Sequence, residues 1–269
     1  GIVVKFEKKD TPQKVNIKLF RQGPKDIRLN DTKISQKELI GTLNTVIFCP
    51  EDLQLIKGTP SGRRRFLDME ISQTSATYYH QLMQYNRLLQ QRNTVLKEYR
   101  GKQNIPLEEW DLQLADMASF IVKKRLESLK KINLLIDLMN RKLTGGLENL
   151  TIGYEQPYID NGSLEYTKEG FYERIKAALP QDRHRMTTSV GPHRDDLRFF
   201  SDAMDLKKFG SQGQQRTAVL SLKLSELEFI KSEVGEYPVL LLDDVLSELD
   251  ESRRANLLQF IHKRIQTFI

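Results

Sequence analysis

The fold of this chain is decided by one short stretch, PVLLLDD at residues 238–244. The continuous apolar run from Tyr237 to Leu242 predicts a strand that is buried on both faces, as in a parallel sheet. Two carboxylates, Asp243 and Asp244, follow at the carboxyl end of that strand, where open α/β sheets place their ligand sites. Taken alone, the pattern also fits a buried strand whose acids only cap the next turn.

A second stretch, FGSQGQQR at residues 209–216, predicts the start of a long amphipathic helix from about Gln212 to Ser232. Ser211 and Gln214 have the spacing of a capping box. A helix N-terminus with a serine and with no side chain at Gly213 also offers backbone donors and partial positive charge to a phosphate. The cap and the phosphate-binding role both remain open at this point.

The two stretches are more specific together than apart. The serine-containing segment (residues 209–214, here the signature segment) precedes a helix, then the strand that ends in Asp243 and Asp244, then SELD at residues 247–250 (here the D-loop). This order resembles the head of an ABC-type ATPase, in which the strand and its acids form the Walker B motif. The resemblance implies that the signature segment closes over the ATP of a partner subunit.

Two further stretches narrow the resemblance. SVGPHRDDL at residues 189–197 is one, and FCPEDL at residues 48–53, leading into GRRRFLD at residues 62–68, is the other. Both are similar to the RecF family, the gap-repair members of the ABC and SMC-like group. Asp244 also resembles that family, because the wider group usually has Glu there. The resemblance covers essentially the whole chain.

The resemblance implies an α/β fold, an ABC-type ATPase head (P-loop NTPase fold) with an inserted helical domain. Residues 1–58 would form the first, mostly β, part of the head, and residues 59–188 the inserted domain. Residues 189–269 would form the second part, with the signature segment, the Walker B strand and the D-loop.

Site residues follow from the same resemblance. Asp243 would hold Mg²⁺, and Asp244 would orient or deprotonate the attacking water. Asp250 would lie at a dimer seam, and Gln54 is the nearest candidate for a glutamine loop. The residues expected to sense the γ-phosphate of the partner's ATP are Ser211, Gln212, Gly213 and Gln214.

The function implied is that of an ATP-dependent DNA-binding clamp in recombinational gap repair. Such a protein dimerises on ATP, hydrolyses it slowly, binds duplex DNA near single-strand gaps, and acts with RecO and RecR to load recombinase. DNA replication and the SOS response belong to the same expectation. Two alternatives stay open. One is another SMC-like repair ATPase head, which would carry a much longer coiled coil, and the other is a non-catalytic DNA-binding or scaffold protein.

One departure from the family pattern is serious. The 269 residues contain no G-x-x-x-x-G-K-[ST] phosphate-binding loop. The family resemblance places that loop upstream of Gly1, and both ends of the chain read as if cut within a structural element. We therefore expect the chain as given to be unable to hydrolyse ATP.

Composition sets further bounds. Lys and Arg outnumber Asp and Glu by 42 to 36, a net charge of +6, which fits a nucleic-acid partner without requiring one. The single cysteine, Cys49, excludes an internal disulfide. No apolar run approaches the ~20 residues needed to cross a bilayer. We expect a cytoplasmic protein without a membrane partner.

The first 48 residues read as short strands with polar turns, and residues 59–146 have helical periodicity. An antiparallel helical hairpin is the simplest interpretation, with the polar loop Arg100–Asn104 at its tip. In the apolar stripe of the first helix, Arg92 occupies a position where an apolar residue is expected. The hairpin would either pack into a globule or project as a short coiled-coil arm.

Basic residues are the candidates for DNA contact. Arg63, Arg64 and Arg65 occupy the first turn of a predicted helix, where cations oppose the helix dipole. They would pair internally with Glu51, Asp52 or Asp68, bind DNA phosphates, or lie at the interface between head and helical arm that the RecF resemblance implies. Arg183 and Arg185 form another patch, and Arg194 is expected to be partly neutralised by Asp195 and Asp196. Because no aromatic residues are interleaved, duplex phosphates are a better ligand than stacked single-stranded bases.

Overall fold

A computed structural model describes residues 1–100, 105–146, 148–159 and 165–269, and only the backbone of Glu248. The strands are β1 Ile2–Lys8, β2 Thr11–Lys18, β3 Asp26–Leu29, β4 Thr32–Ile34, β5 Thr45–Phe48, β6 Leu150–Glu155, β7 Asp196–Ser201, β8 Met204–Asp205, β9 Val239–Leu242 and β10 Thr267–Phe268. The helices are α1 Gln36–Leu39, α2 Gln54–Lys57, α3 Pro60–Thr74, α4 Ala76–Glu98, α5 Glu108–Thr144, α6 Lys168–Ala177, α7 Leu179–Arg185, α8 Gln212–Val234, α9 Val245–Glu248 and α10 Glu251–Ile261. A 3-10 turn spans Pro50–Leu53.

The first four strands form an antiparallel meander in the order β1-β2-β3-β4, as the alternating pattern predicts. Lys9 and Asp10 make one tight turn, and Asn30 and Asp31 make another. All four have positive φ angles, between 48° and 66°. Two consecutive residues in that region form the type I′ turn, whose twist matches that of the flanking strands.

The stretch PVLLLDD forms the central strand of a separate parallel sheet, in the order β10-β9-β5. Val46 lies opposite Leu240, and Phe48 lies opposite Leu242. These residues are buried, and they belong to one continuous hydrophobic core. The prediction of a strand in a parallel sheet is confirmed, but only one of its two faces is fully buried, because Val239 and Leu241 are half-buried.

Helices α4 and α5 form the predicted hairpin, although its tip at residues 101–104 lies outside the described residues. Ser75 caps α4 by accepting a hydrogen bond from the Tyr78 amide. Gly145, in the left-handed conformation, ends α5. Helix α5 is about 55 Å long at 1.5 Å per residue, and it packs against α4, α6 and α8. The hairpin is therefore packed into the molecule and does not project from it.

Helix α8 is the central helix, and here the sequence-based expectation was wrong in one respect. The predicted bounds are close to those observed, but the helix is not amphipathic. Buried residues run almost without interruption from Thr217 to Ile230, because α3, α5, β5 and the 3-10 turn pack around it. A helix that contacts neighbours on every side does not need a polar face.

A third sheet has the order β6-β7-β8. Strand β6 pairs with β7, which follows more than forty residues later in the chain. The proposed division of the chain at residues 58 and 188 stays a proposal. The β6–β7 ladder and the α5–α8 contact show that the middle and last segments share one core.

Candidate active site

Strand β9 carries the two carboxylates of PVLLLDD to the carboxyl end of the parallel sheet. Leu240 and Leu242 are buried, whereas Asp243 and Asp244 are exposed. The Asp243 amide donates a hydrogen bond of 2.9 Å to the Phe48 carbonyl, so the contact with β5 continues one residue past the strand. The apolar run fixes the strand, and both carboxylates face solvent where it ends.

The side chain of Asp244 is oriented by a neighbour. Its φ angle is 53°, in the left-handed region that few non-glycine residues adopt and that is enriched at functional sites. The Ser247 hydroxyl donates to the Asp244 carbonyl at 2.7 Å and lies 3.1 Å from the carboxylate oxygen Oδ1. Ser247 thus positions the carboxylate and leaves it open to solvent.

The donors at this edge suit a hard cation that arrives with a phosphate. Mg²⁺ binds oxygen ligands, keeps several waters, and often takes only one or two carboxylates plus phosphate oxygens. Asp243 and Asp244 provide such carboxylates. Across the described ranges, no cluster of three or more His, Cys, Asp or Glu side chains could hold a metal ion. The residues therefore fit a magnesium–nucleotide complex better than a metal cage made of protein alone.

The signature segment forms a complete capping box at the start of α8. The Gln214 amide donates to the Ser211 hydroxyl at 3.2 Å, and the Ser211 amide donates to the Gln214 side-chain oxygen at 3.0 Å. The Gln214 side-chain nitrogen donates to Glu148 at 3.0 Å. Ser211 and Gln212 are exposed. The cap is real, and it leaves this helix N-terminus facing solvent.

Two glycines in the signature segment have different reasons to be glycine. A Cβ atom added to Gly210 would lie 2.7 Å from the Leu206 carbonyl oxygen and 3.0 Å from the Leu206 Cα, so packing within the chain requires glycine there. A Cβ added to Gly213 would meet the Arg253 Nη2 at 3.6 Å and the Ser211 Oγ at 3.9 Å, which are ordinary contacts. Nothing within the described part of the chain requires glycine at position 213.

The D-loop ends at Asp250, which caps α10. Asp250 accepts a hydrogen bond of 2.8 Å from the Arg253 amide and an ion pair from the Arg253 guanidinium. The same guanidinium reaches the first turn of α8 through Thr217 and the Gly213 carbonyl. The signature segment and the D-loop therefore lie side by side.

The segment after β5 carries Cys49 and Gln54. Burial is the main cause that raises the pKa of the Cys49 thiol to about 11, with Asp52 adding to it. A thiol with that pKa is no nucleophile near neutral pH. Gln54 is exposed at the start of α2, and its role as a glutamine loop stays a prediction.

Two of the three arginines in the first turn of α3 make internal contacts, but not with the predicted acids. Arg63 is buried and forms an ion pair with Asp196 through two hydrogen bonds, both of 2.8 Å. Arg64 donates to the Asp195 carbonyl at 2.6 Å. Arg65 is exposed and makes no ion pair with the described residues. The predicted DNA contact of Arg63 does not fit the structure, because its guanidinium is enclosed.

A buried arginine, Arg125 of α5, joins the two stretches that carry the family resemblance. It donates to both carboxylate oxygens of Asp68, at 3.0 and 2.9 Å, and to the Pro192 carbonyl at 2.7 Å. It also lies 3.4 Å from Asp195, whose pKa burial raises to about 6 against the effect of Arg125. These two stretches therefore form one structural unit.

The remaining basic candidates differ in environment. Arg185 is exposed in the last turn of α7, where a cation is favourable to the helix dipole. Arg183 is half-buried in the same turn and has an interaction partner. Arg194 donates to the Thr188 carbonyl at 3.0 and 2.7 Å, so the expected neutralisation by Asp195 and Asp196 is wrong. Those acids serve Arg125 and Arg63.

Comparison with known proteins identifies the family. No family model matches the sequence. The chain is 46% identical over 272 residues to the DNA replication and repair protein RecF of Alkaliphilus oremlandii, covering 100% of this chain and 74% of that protein. It is 44% identical to RecF of Halothermothrix orenii, covering 97% and 72%. The chain belongs to the RecF family.

Solved RecF structures agree with this assignment. The structure described as the recombination mediator protein RecF-ATPrS in the RecFOR pathway superposes with a TM-score of 0.89 at 37% identity, covering 97% of this chain and 71% of that chain. The corresponding RecF-ATP structure gives 0.87 at 37% identity. The predicted α/β ABC-type ATPase head fold is confirmed, and the RecF family consists of ABC-type ATPases.

Three residues that organise this RecF head are not among the predicted site residues. Arg125 and Arg253 each join segments that are far apart in the chain, and Lys223 of α8 lies buried 3.2 Å from Asp52. A charged residue within an apolar helical stripe, such as Lys223, indicates a buried ion pair. The spacing along the chain does not indicate which residue is its partner. Arg253, on a helix surface, gave no signal.

The described ranges contain no helix that is both long enough and apolar enough to pass through a membrane.

Proposed function

We propose that this chain provides the signature, Walker B and D-loop parts of an ATP-dependent DNA clamp that acts in recombinational gap repair. ATP bound by one subunit would be covered by the signature segment of a second, so that ATP drives formation of a homodimer. The names of the relatives, DNA replication and repair protein RecF, support the repair role. The RecF-ATP and RecF-ATPrS structures support ATP as the ligand.

The observation that carries this proposal is that residue 213 is a glycine although the packing of the described residues around it does not require one. Packing within the described part of the chain leaves room for a side chain there, yet the residue is glycine in the exposed first turn of a 23-residue helix. A helix N-terminus without side-chain obstruction binds phosphate well. An external ligand that approaches the backbone closely gives the glycine a reason.

The roles of the other residues follow from this arrangement. Ser211, Gln212, Gly213 and Gln214 would sense the γ-phosphate of the partner's ATP, with Gly213 contributing its backbone amide. Gln214 also holds the cap in place. Asp243 would bind the magnesium that accompanies the nucleotide. Asp244, oriented by Ser247, would position the attacking water and accept its proton. Asp250 would lie at the dimer seam.

DNA binding is proposed for the exposed basic residues. Arg65 and Arg185 have guanidinium groups at the surface, and Arg64 and Arg183 are half-buried beside them in sequence. A sequence-independent contact with duplex phosphates fits isolated arginines better than base reading. The net charge of +6 is consistent with such a partner.

The proposed cellular setting is the repair of chromosomal DNA together with partner proteins. The words "RecFOR pathway" attached to the solved RecF structures support RecO and RecR as partners in loading recombinase at single-strand gaps. A role in the SOS response and a cytoplasmic location fit a protein that acts on chromosomal DNA.

The test is the mass of the natural-length protein in solution, measured by light scattering with and without ATP and Mg²⁺. A Ser211→Arg variant places a bulky cation in the signature segment. Ser232→Arg is its matched control, because Ser232 is exposed at the opposite end of the same helix. We expect the natural protein and the Ser232 variant to double in mass with ATP, while the Ser211 variant stays a monomer. A mass that ignores ATP in all three proteins would reject the shared site and favour a non-catalytic DNA-binding protein.

A further inference from the structure

Arg253 connects the D-loop to the signature segment through a closed set of hydrogen bonds. Its Nε donates to the Thr217 hydroxyl at 2.9 Å, and its Nη2 donates to the Gly213 carbonyl at 3.3 Å. The Thr217 hydroxyl donates in turn to the same Gly213 carbonyl at 2.9 Å. On the other side, the guanidinium forms the ion pair with Asp250. One side chain thus contacts residues 36 and 40 positions earlier and the D-loop carboxylate three positions earlier.

The Arg253 contacts contribute little to the overall stability of the fold. The side chains of Arg253 and Asp250 are 28% and 50% exposed, and an exposed ion pair contributes at most about 1 kcal/mol. Helix α10 is already anchored by the buried Leu257 and Ile261. The consequence of the Arg253 contacts is therefore mainly geometric: they fix where the D-loop lies relative to the first turn of α8.

We propose that Arg253 is a positioning residue that holds the D-loop and the signature segment together as one rigid surface for the partner subunit's nucleotide. The inference rests on the proposed function, in which both segments face a second copy of this chain. Glycine has the largest backbone freedom of any residue, and Gly213 carries the amide proposed to meet the phosphate. The hydrogen bonds to the Gly213 carbonyl hold the next peptide group in place and so restrict the ψ angle of this glycine before the nucleotide arrives. Preorganised donors bind with less loss of entropy.

Arginine is required for this geometry. Its planar guanidinium presents donors in fixed directions and can serve Asp250, Thr217 and Gly213 at once. Lysine has the same charge on a single nitrogen and cannot reproduce that fork. The neighbouring Arg254 is a charge-matched comparison, because it is exposed and donates a hydrogen bond of 3.3 Å to the Leu249 carbonyl, away from the signature segment.

The experiment uses the natural-length protein and the variants Arg253→Ala, Arg253→Lys, Thr217→Val and Arg254→Ala. The ATP concentration at half-maximal dimerisation is measured by light scattering, and ATP binding to the dilute monomer is measured by fluorescence of a labelled nucleotide. Thermal unfolding reports on folding. We expect Arg253→Ala to raise the ATP concentration at half-maximal dimerisation by about tenfold, within the usual range for coupled sites. Arg253→Ala should leave ATP binding by the monomer and the melting temperature close to those of the natural protein. Arg254→Ala should dimerise at the same ATP concentration as the natural protein.

Two comparisons separate geometry from charge. Arg253→Lys should recover little of the loss, and full recovery would overturn the positioning role. Thr217→Val keeps the arginine but removes the shared hydroxyl, so it should show a smaller defect. The double variant Arg253→Ala/Thr217→Val should be no worse than Arg253→Ala alone, because both changes remove the same network. Strictly additive losses would contradict the inference.

The dimerisation measurements distinguish a failure of this inference from a failure of the proposed function. If the natural protein does not dimerise with ATP, the clamp itself is rejected. If it dimerises and Arg253→Ala dimerises at the same ATP concentration, the clamp stands and the positioning role of Arg253 is rejected.

Discussion

Arg63 and Asp196 form a two-point ion pair, with Nε–Oδ1 and Nη2–Oδ2 distances both of 2.8 Å. The pair joins the first turn of α3 to the first residue of β7, 133 positions along the chain. The side chain of Arg63 is only 4% exposed, and its Nη1 donates to the Gly58 carbonyl at 2.9 Å. This relationship places Arg63 in the framework of the molecule and separates it from its neighbour Arg65.

Arg63→Ala should lower the free energy of unfolding by about 3 kcal/mol, because it leaves the carboxylate of Asp196 without its partner at a partly enclosed position. Urea denaturation measures the change. Arg65→Ala is the control, and an exposed residue without an ion pair should change the free energy by less than about 0.5 kcal/mol. Equal effects of the two variants would contradict the assignment of Arg63 to the framework.

Arg65→Glu should weaken binding to duplex DNA more at low salt than at high salt, because a phosphate contact releases condensed counterions. Fluorescence anisotropy across a salt series measures this effect. Lys33→Glu is a matched charge reversal at an exposed lysine of β4. A change in affinity that is the same at every salt concentration, or the same for both variants, would remove Arg65 from the DNA interface.

Asp244→Asn should slow ATP hydrolysis of the natural-length protein by about 100-fold, the usual loss when a general base is removed. ATP-driven dimers should persist, since the amide keeps the shape and still accepts the hydrogen bond from Ser247. Asp116→Asn is an exposed control on α5 and should leave turnover unchanged. Steady-state phosphate release and light scattering on the same samples separate the two readouts. Unchanged turnover in Asp244→Asn would exclude Asp244 as the base.

Glu70→Gln should reduce the pH dependence of stability, to which the neighbouring Glu226 also contributes because burial raises its pKa too. Burial raises the pKa of Glu70 to about 7, opposed by Lys223 and assisted by Asp52, and one carboxylate oxygen has no hydrogen-bond partner among the described atoms. Because the folded-state pKa lies above the unfolded value, the unfolded chain releases the proton first as pH rises. The stability of the natural chain should therefore fall between about pH 4.5 and 7 and then level off.

Between pH 5 and pH 8, the free energy of unfolding of the natural chain should therefore fall relative to that of the glutamine variant by on the order of 2 kcal/mol. Urea denaturation at the two pH values measures this difference. Glu251→Gln, at an exposed position, should show no such change. A natural chain whose stability is the same at both pH values would show that Glu70 is ionised in the folded state throughout this range.

Arg92 shows how far pattern alone could go. It occupies a position in the apolar stripe of α4 where the helical pattern predicts an apolar residue, and the pattern does not indicate why. The structure explains it, because Arg92 is fully buried and pairs with Asp111 and Asp182, both at 2.6 Å, and with Thr188 at 2.9 Å. Asp182 is 90 positions away in the chain, so local spacing carries no information about the pair.

The local features of this protein can be predicted from short stretches of its sequence. The apolar run before Asp243, the capping box of Ser211 and Gln214, and the glycine that ends α5 each depend on interactions within a few residues. Hydrophobic period and cap chemistry are therefore enough to predict them. The order of the motifs along the chain likewise indicated the ABC-type head.

The long-range contacts between side chains depend on the three-dimensional packing of the chain. This packing turned α8 into a helix buried on every side, directed Arg63 to Asp196 instead of DNA, and brought Arg253 to Gly213. Each of these outcomes depends on pairs of residues tens to more than a hundred positions apart, whose contact is fixed by the packing of whole helices and strands. A buried charged side chain pairs with the oppositely charged group that this packing places beside it, since leaving it unpaired costs several kcal/mol.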